Sequence, residues 1–192
     1  MKLAVLDQAL FDHLYQDIHE FRTTFDLDIE NPSSLDDQAD TLHTSLAVEE
    51  MTELAEADSL VEQADAIVDS VYVLMGRLVH LGDKRVEDNM GISYLIDLLL
   101  QIAQRLNFDF VACWDEVHSS NMSKVCRNEQ EFADTEAHYA KQDVALHAVK
   151  KGEYIIAKCA KDVNLDGKVI RQGKVLKSVY YRPANLVQLV TQ

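Results

Sequence analysis

The sequence predicts a mainly α protein, a bundle of four to five helices with a small α+β appendage at its C-terminal end. Three observations predict it. Two prolines and six glycines in 192 residues leave few breaks in the chain. Apolar residues recur at three- and four-residue steps through residues 3–124, the period of amphipathic helices. Beyond Lys124 that period gives way to short apolar runs separated by Asp-Gly and Gly turns. The length suits one domain with a minor extension, so residues 1–124 are expected to form the helical domain and residues 125–192 the appendage.

The elements follow in order. Residues 3–25 set Val5, Leu6, Leu10, Phe11, Leu14, Ile18, Phe21 and Phe25 on one helical face. "DLDIENPSSLDD" breaks that pattern, and Ser33 or Ser34 is expected to cap a second helix from about Leu35 to Ala57. A third helix is expected from Ser59 to Leu81, ended by Gly82. So short a connection makes the second and third helices antiparallel neighbours. "GISYLIDLLLQIAQRLNF" reads as a fourth helix and "DFVACWDEVHSSNMSK" as a fifth. "NEQEFADTEAHYAKQ" is a polar helix, followed by strands in "EYIIAKCAKDV", "KVIRQ" and "KVLKSVYY" with turns at Asp166-Gly167 and around Gly173.

Charge narrows the function. The chain carries 18 Lys/Arg against 33 Asp/Glu, a net charge of -15, which argues against a nucleic-acid backbone as main partner. The imbalance is local. Residues 1–80 hold 3 basic and 18 acidic side chains, while residues 147–182 hold 9 Lys/Arg against 3 acids. No apolar run is long enough to span a bilayer, since Asp97 interrupts "YLIDLLLQIA", and Asp7 and Asp12 interrupt the N-terminal segment where a signal peptide would be apolar. A cytoplasmic protein with no membrane or nucleic-acid partner is expected. Cys113, Cys126 and Cys159 lack any paired spacing and read as buried free thiols.

The acids of residues 49–76 carry the functional signal. On the third helix Glu62, Asp65 and Asp69 line the edge of the stripe formed by Val61, Ala64, Val68, Val71, Tyr72, Met75 and Val79, while Gln63, Ala66 and Ser70 take the far face. On the second helix Glu49, Glu50 and Glu53 share a side with Leu42 and Leu46. Acids placed for solubility alone would collect on the far face; at a core edge they are costly without cations. Two antiparallel helices that turn such acids toward one cleft make an oxygen-only site for a hard cation, Mg²⁺ with Mn²⁺ as the alternative. The seven histidines fit no ligand spacing, and there is no Glu-x-x-His pair of the di-iron kind.

These residues resemble the all-α nucleoside triphosphate pyrophosphohydrolases, the MazG-like and phosphoribosyl-ATP pyrophosphohydrolase-like group. "EEMTE" (49–53) and "EQAD" (62–65) are similar to the EExxE and ExxD motifs, and "AIVDSVYVLMG" to the apolar continuation of the ADALADLLYVxxG kind. "EVHSSNMSK" (116–124), "GKVLKSVYYRPANL" (173–186) and "HEFRTTFDLDI" (19–29) resemble segments of one subgroup in the same order. Arg22 stands where that subgroup often has His, and Asp26 where it often has Gly. The step from Glu53 to Glu62 is short for the wider family, and Asp65 and Asp69 can each claim the role of the final motif aspartate.

The resemblance implies hydrolysis of a nucleoside or deoxynucleoside triphosphate to the monophosphate and pyrophosphate, a house-cleaning of the nucleotide pool. It implies Glu50, Glu53, Glu62 and Asp65 as metal ligands, with Asp69 as a further ligand or a group behind them, and Glu49 as general base. Triphosphate oxygens also need cationic partners: Lys124 with Asn121 comes first, then Lys174 and Lys177, with Tyr181 against base or sugar. His118 reads as a packing residue. Family members associate through apolar helices, so a homodimer or homotetramer is expected. The competing class is a non-enzymatic helical interaction protein whose acidic cluster binds a cation or a basic partner.

Overall fold

The computed structural model describes residues 2–165 and 168–190. The elements run α1 (Gln8–Thr24), a 3-10 turn (Pro32–Ser34), α2 (Asp37–Glu56), α3 (Leu60–Leu81), α4 (Met90–Leu106), α5 (Phe110–Met122) and α6 (Glu129–Ala140), then β1 (Leu146–Lys151), β2 (Tyr154–Cys159), β3 (Val163–Leu165), β4 (Lys168–Ile170) and α7 (Val187–Val190). The chain divides into two compact units. One comprises the chain up to Thr23, Leu27–His118 and the segment from Ala184; the other comprises Thr24–Asp26 and Ser119–Pro183.

The first unit is helical and α3 is its axis. From Ala64 to His80 nearly every α3 side chain is buried, which is the composition of a helix enclosed on most of its sides rather than one lying on a surface. Phe11, Leu14 and Ile18 of α1, Ile96, Leu100 and Ala103 of α4, and Cys113, Trp114 and Val117 of α5 complete this core. The ends of α3 are closed by side chains and backbone in a way its sequence encodes. Ser59 caps the start, and Gly82 at φ 80 ends it, returning its N–H to the Leu78 and Val79 carbonyls. A Cβ on Gly82 would stand 3.4 Å from the Glu30 backbone, because residues 30 and 31 run past the end of α3 and donate to the carbonyls of Val79 and His80.

Two acids of this unit differ from the sequence expectation in what they bind. The cap of α2 is Asp36, whose side chain accepts the Ala39 N–H at 2.8 Å; Ser33 and Ser34 instead form the 3-10 turn that precedes it. Asp97, read only as a break in an apolar run, is buried and accepts the N–H groups of Ala4, Val5 and Leu6 at 3.0, 2.7 and 2.8 Å. Burial pushes its pKa up, and these three bonds together with one from Gln101 Nε2 at 2.8 Å outweigh burial and hold it below the usual carboxylate range.

In the second unit β1 and β2 pair antiparallel from Leu146↔Cys159 to Lys151↔Tyr154, turning at Gly152 with φ 55. β3 pairs β4 in a second hairpin, whose expected turn at Asp166-Gly167 lies outside the described residues. "KVLKSVYY" is not a strand. Only Val175 bridges to Lys158, while the Leu176 and Ser178 amides donate to Ala157 and Lys124 carbonyls. β1 escaped the sequence reading because "LHAVKK" is exposed at four of its six positions and its apolar and polar residues do not alternate. All three cysteines are free and buried.

Candidate active site

α2 and α3 pack side by side, joined by Ala57, Asp58 and Ser59 alone. The acids near the end of α2 therefore meet those near the start of α3. On α2 the half-buried side is His43, Leu46, Ala47, Glu50, Met51 and Leu54, spaced by three and four. Glu50 belongs to that stripe, while Glu49 and Glu53 are exposed beside it. Leu42, expected in the stripe, is exposed instead. The buried side is rotated about one residue round the helix from the expected one, because His43 rather than Leu42 packs inward.

On α3 the far face expected to reach solvent is closed: Ala66 and Ser70 are buried. Because the core encloses α3, its open strip is the one carrying Glu62, Asp65 and Asp69, of which Asp69 is half-buried. These acids thus occupy the side of α3 that faces water and α2, and not a rim squeezed between core and a second solvent face.

The electrostatics show which acids converge. The pKa of Glu50 is raised to about 7, first by burial and then by the charges of Asp69, Glu53, Glu49 and Asp65. Four carboxylates from two helices thus act on a fifth. Among the described residues no ion pair with Lys, Arg or His reaches Glu49, Glu50 or Glu53. An oxygen-only set under mutual repulsion is suited to a hard divalent cation. No three of these five bring one oxygen each within 4.8 Å, among the described residues.

Glu62 is placed differently. Its carboxylate accepts the N–H groups of Asp58 and Ser59 at 3.0 and 2.9 Å, and Ser59 Oγ accepts the Glu62 N–H at 3.2 Å. This capping box closes the first turn of α3, and the Ser59 side-chain bond, with the Ser59 and Asp58 backbone bonds, holds the Glu62 pKa below its usual value. Of the two motif aspartates, Asp69 has the larger effect on Glu50.

The residues assigned to substrate all lie in the second unit. Lys124 Nζ donates to Asn121 Oδ1 at 2.6 Å, Lys177 Nζ stands 4.4 Å from the Tyr181 ring centre, and Ser120 Oγ donates to the Tyr181 hydroxyl at 3.0 Å. Lys174 and Lys177 are exposed.

Sequence reasoning missed two groups in the first unit. Arg22, Arg77, His43 and His80 gather toward the start of α2 and the end of α3. Arg22 Nε donates to the Asp28 carbonyl at 2.7 Å and burial lowers its pKa to about 10; Arg77 pairs with Asp40. The step from His43 to Arg77 carried no motif, since only folding brings the two together. The second missed group is on α1 and α5, where His13, Asp17 and Asp115, and likewise Asp17, Glu20 and His118, bring their ligand atoms within 4.8 Å. The i, i+4 step from His13 to Asp17 and the i, i+3 step from Asp115 to His118 were legible in the sequence; their pairing across two helices was not.

Comparison with known proteins supplies four findings. Residues 18–84, from α1 to just past α3, match the model of the phosphoribosyl-ATP pyrophosphohydrolase family, within the MazG-like all-α pyrophosphohydrolase superfamily. The mainly helical fold agrees with that type. Residues 104–190 match a second model, described as male accessory gland secretory protein. An uncharacterized protein of Acanthamoeba polyphaga mimivirus is 33% identical over 112 residues, covering 54% of this chain and 42% of the viral protein. The chain thus spans about two fifths of that relative's length. No solved structure matches. Among the described residues no helix is long and apolar enough to cross a membrane.

Proposed function

We propose that the helical unit is a Mg²⁺-dependent nucleoside triphosphate pyrophosphohydrolase, with Glu50, Glu53, Asp65 and Asp69 holding the cation and Glu49 accepting the proton of the attacking water. The observation that carries this reading is Glu50: a half-buried carboxyl raised to about 7 by burial and by four other carboxylates of α2 and α3. The match of residues 18–84 to the phosphoribosyl-ATP pyrophosphohydrolase family supports a hydrolase of nucleotide pyrophosphate bonds and a divalent-cation requirement. Mg²⁺ within the triphosphate class of substrates is our narrower choice, from the all-oxygen ligand set.

When bound, the cation neutralises phosphate oxygens and acidifies water. The chain supplies the rest. Glu50 enters from the apolar stripe of α2, so its backbone is fixed by packing. Glu53, one turn on, and Asp65 and Asp69, one turn apart on α3, are carried on rigid helices whose connection is closed by the Ser59–Glu62 cap. Glu49 precedes Glu50 and is exposed, which leaves its oxygens open to water and suits a proton acceptor better than a ligand.

The test is a pyrophosphate-release assay of the full chain over all NTPs and dNTPs, with Mg²⁺, with Mn²⁺ and with chelator. Release with metal, abolished by chelator, is expected for at least one nucleotide. Absence of pyrophosphate from every nucleotide under both metals would overturn the proposal.

We infer self-association as well. On α4 Leu95 and Leu98 remain 43% and 51% exposed, an apolar strip that a second copy of the chain would cover in a homodimer or homotetramer.

A further inference from the structure

Two histidines stand where an ion of a different kind would be held. His13, Asp17 and Glu20 step along one face of α1 at i, i+4 and i+7, and Asp115 and His118 lie one turn apart on α5. The fold joins them into two triads that share Asp17, each with its three ligand atoms within 4.8 Å. His13 Nε2 lies 3.1 Å from Asp115 Oδ1 and 3.7 Å from Asp17 Oδ2, and His118 Nε2 lies 3.6 Å from Glu20 Oε2. Two ligands bound to one tetrahedral ion at about 2.0–2.1 Å stand about 3.3–3.4 Å apart. The two longer separations exceed a hydrogen bond and approach that spacing.

The groups are also fixed from outside the set. Trp114, fully buried, donates its Nε1–H to Asp17 Oδ2 at 2.8 Å. Tyr72, 8% exposed, places its hydroxyl 3.1 Å from His118 Nδ1. A partner on the far ring nitrogen sets the tautomer and aim of a ligating imidazole. Among the described residues, the ion pairs made by these five side chains are all with one another, so no Lys or Arg occupies the place of a cation. Asp115 and Glu20 are exposed and open the cluster to solvent.

We propose that this face of α1 and α5 binds divalent transition ions of the Zn²⁺ class in two adjoining sets, His13, Asp17 and Asp115 in one and Asp17, Glu20 and His118 in the other, with Asp17 as the carboxylate they share. Imidazole nitrogen favours Zn²⁺, Co²⁺ and Ni²⁺ over Mg²⁺, whereas the acids of α2 and α3 offer oxygen alone. The two cation sites therefore differ in selectivity, and this one would tie the first helix to the fifth.

Co²⁺ tests it, because its visible absorption reports nitrogen ligation and low coordination number. The full chain is titrated with Co²⁺ in saturating Mg²⁺, followed by absorbance and calorimetry. Binding with a visible band, displaced by Zn²⁺, is expected, and it should weaken by at least about tenfold in His13→Ala combined with His118→Ala. Asp115→Asn, at an exposed position that cannot disturb the core, should also weaken it, and Glu53→Gln should leave it unchanged. Absence of a Mg²⁺-resistant Co²⁺ site in the wild type, or one retained in both Asp115→Asn and the folded double variant, would overturn the proposal.

Discussion

Glu62 and Ser59 hold one another at the start of α3: the Glu62 carboxylate accepts the Ser59 N–H at 2.9 Å, and the Ser59 hydroxyl accepts the Glu62 N–H at 3.2 Å. The Glu62 carboxylate is thereby engaged at the helix end, while Asp69 and Asp65 are the α3 acids that act on Glu50. A capping box accepts glutamine in place of glutamate, so one substitution separates cap from ligand. Glu62→Gln should keep both its melting temperature and its metal-dependent turnover. Ser59→Ala should lose about 1 kcal/mol of stability, and Asp69→Asn should lose turnover on the order of a hundredfold. Melting curves and pyrophosphate release check all three; a folded Glu62→Gln variant without turnover would restore Glu62 to the ligand set.

Glu50 gives the second prediction. Its carboxylate is ionised at alkaline pH against burial and four neighbouring charges. Glutamine at that position removes both penalties and leaves shape unchanged. In metal-free buffer at about pH 8, Glu50→Gln should be more stable than wild type by about 1 kcal/mol, a few degrees in Tm, after allowance for solvent screening of a half-exposed group. The same variant should lose the rise in Tm that Mg²⁺ confers on the wild type. A Glu50→Gln protein that melts below wild type without metal would show that the carboxylate is stabilised where it stands.

His43 supplies a pH dependence. Ser34 Oγ donates to the Asn31 carbonyl at 2.9 Å, so it accepts from His80 Nε2 at 2.7 Å; His80 Nδ1 then accepts from His43 Nε2 at 2.9 Å. In this chain His80 is neutral with its proton on Nε2, and His43 carries a proton on the Nε2 that donates to it. Burial, followed by the charges of Arg22, His80 and Arg77, lowers the His43 pKa to about 4 against the pull of Asp40. The folded value lies below the unfolded one of about 6.5, so the stabilisation is complete above about pH 6.5 and is lost as pH falls from there toward about 4. Thermal melts from pH 7.5 down to about 5 should show Tm falling by several degrees. His43→Gln, which keeps a donor for His80, should flatten that slope; a wild-type Tm constant over this range would exclude the buried neutral pair.

What the sequence made legible is what local spacing encodes. Ser59 and Gly82 bound α3 because capping is written in two or three adjacent residues, and the apolar row of α1 names its own buried face. Glu49, Glu50, Glu53, Asp65 and Asp69 were legible as a group because they recur at helical steps on two neighbouring helices. What failed depended on enclosure. Ala66 and Ser70 look like a solvent face until the core encloses α3, and Leu42 looks buried until His43 takes that place beside His80. Glu62 fits both a ligand motif and a capping box, and its sequence position alone does not choose between them. His13 and His118 are 105 residues apart in the chain, and no spacing rule joins them.

The last prediction concerns α4. Its exposed face carries Gly91, Leu95 and Leu98 with half-buried Ile102, a four-three-four spacing that draws one apolar seam along the helix. Asp97, between the two leucines, is turned the other way and bound to the backbone of residues 4–6, so the seam is free of charge. Gly91 has no side chain to hold a partner away. Covering Leu95 and Leu98 removes apolar surface worth roughly 1–2 kcal/mol for each leucine, and a two-fold pairing of α4 with its copy counts each twice. Light scattering should therefore give a dimer or tetramer mass at micromolar concentration. Leu95→Glu combined with Leu98→Glu should yield a folded monomer, because both positions are solvent-facing within one chain and opposed glutamates repel across the seam. A monomeric wild type would refute the pairing, and an oligomer that survives both substitutions would move the interface away from α4.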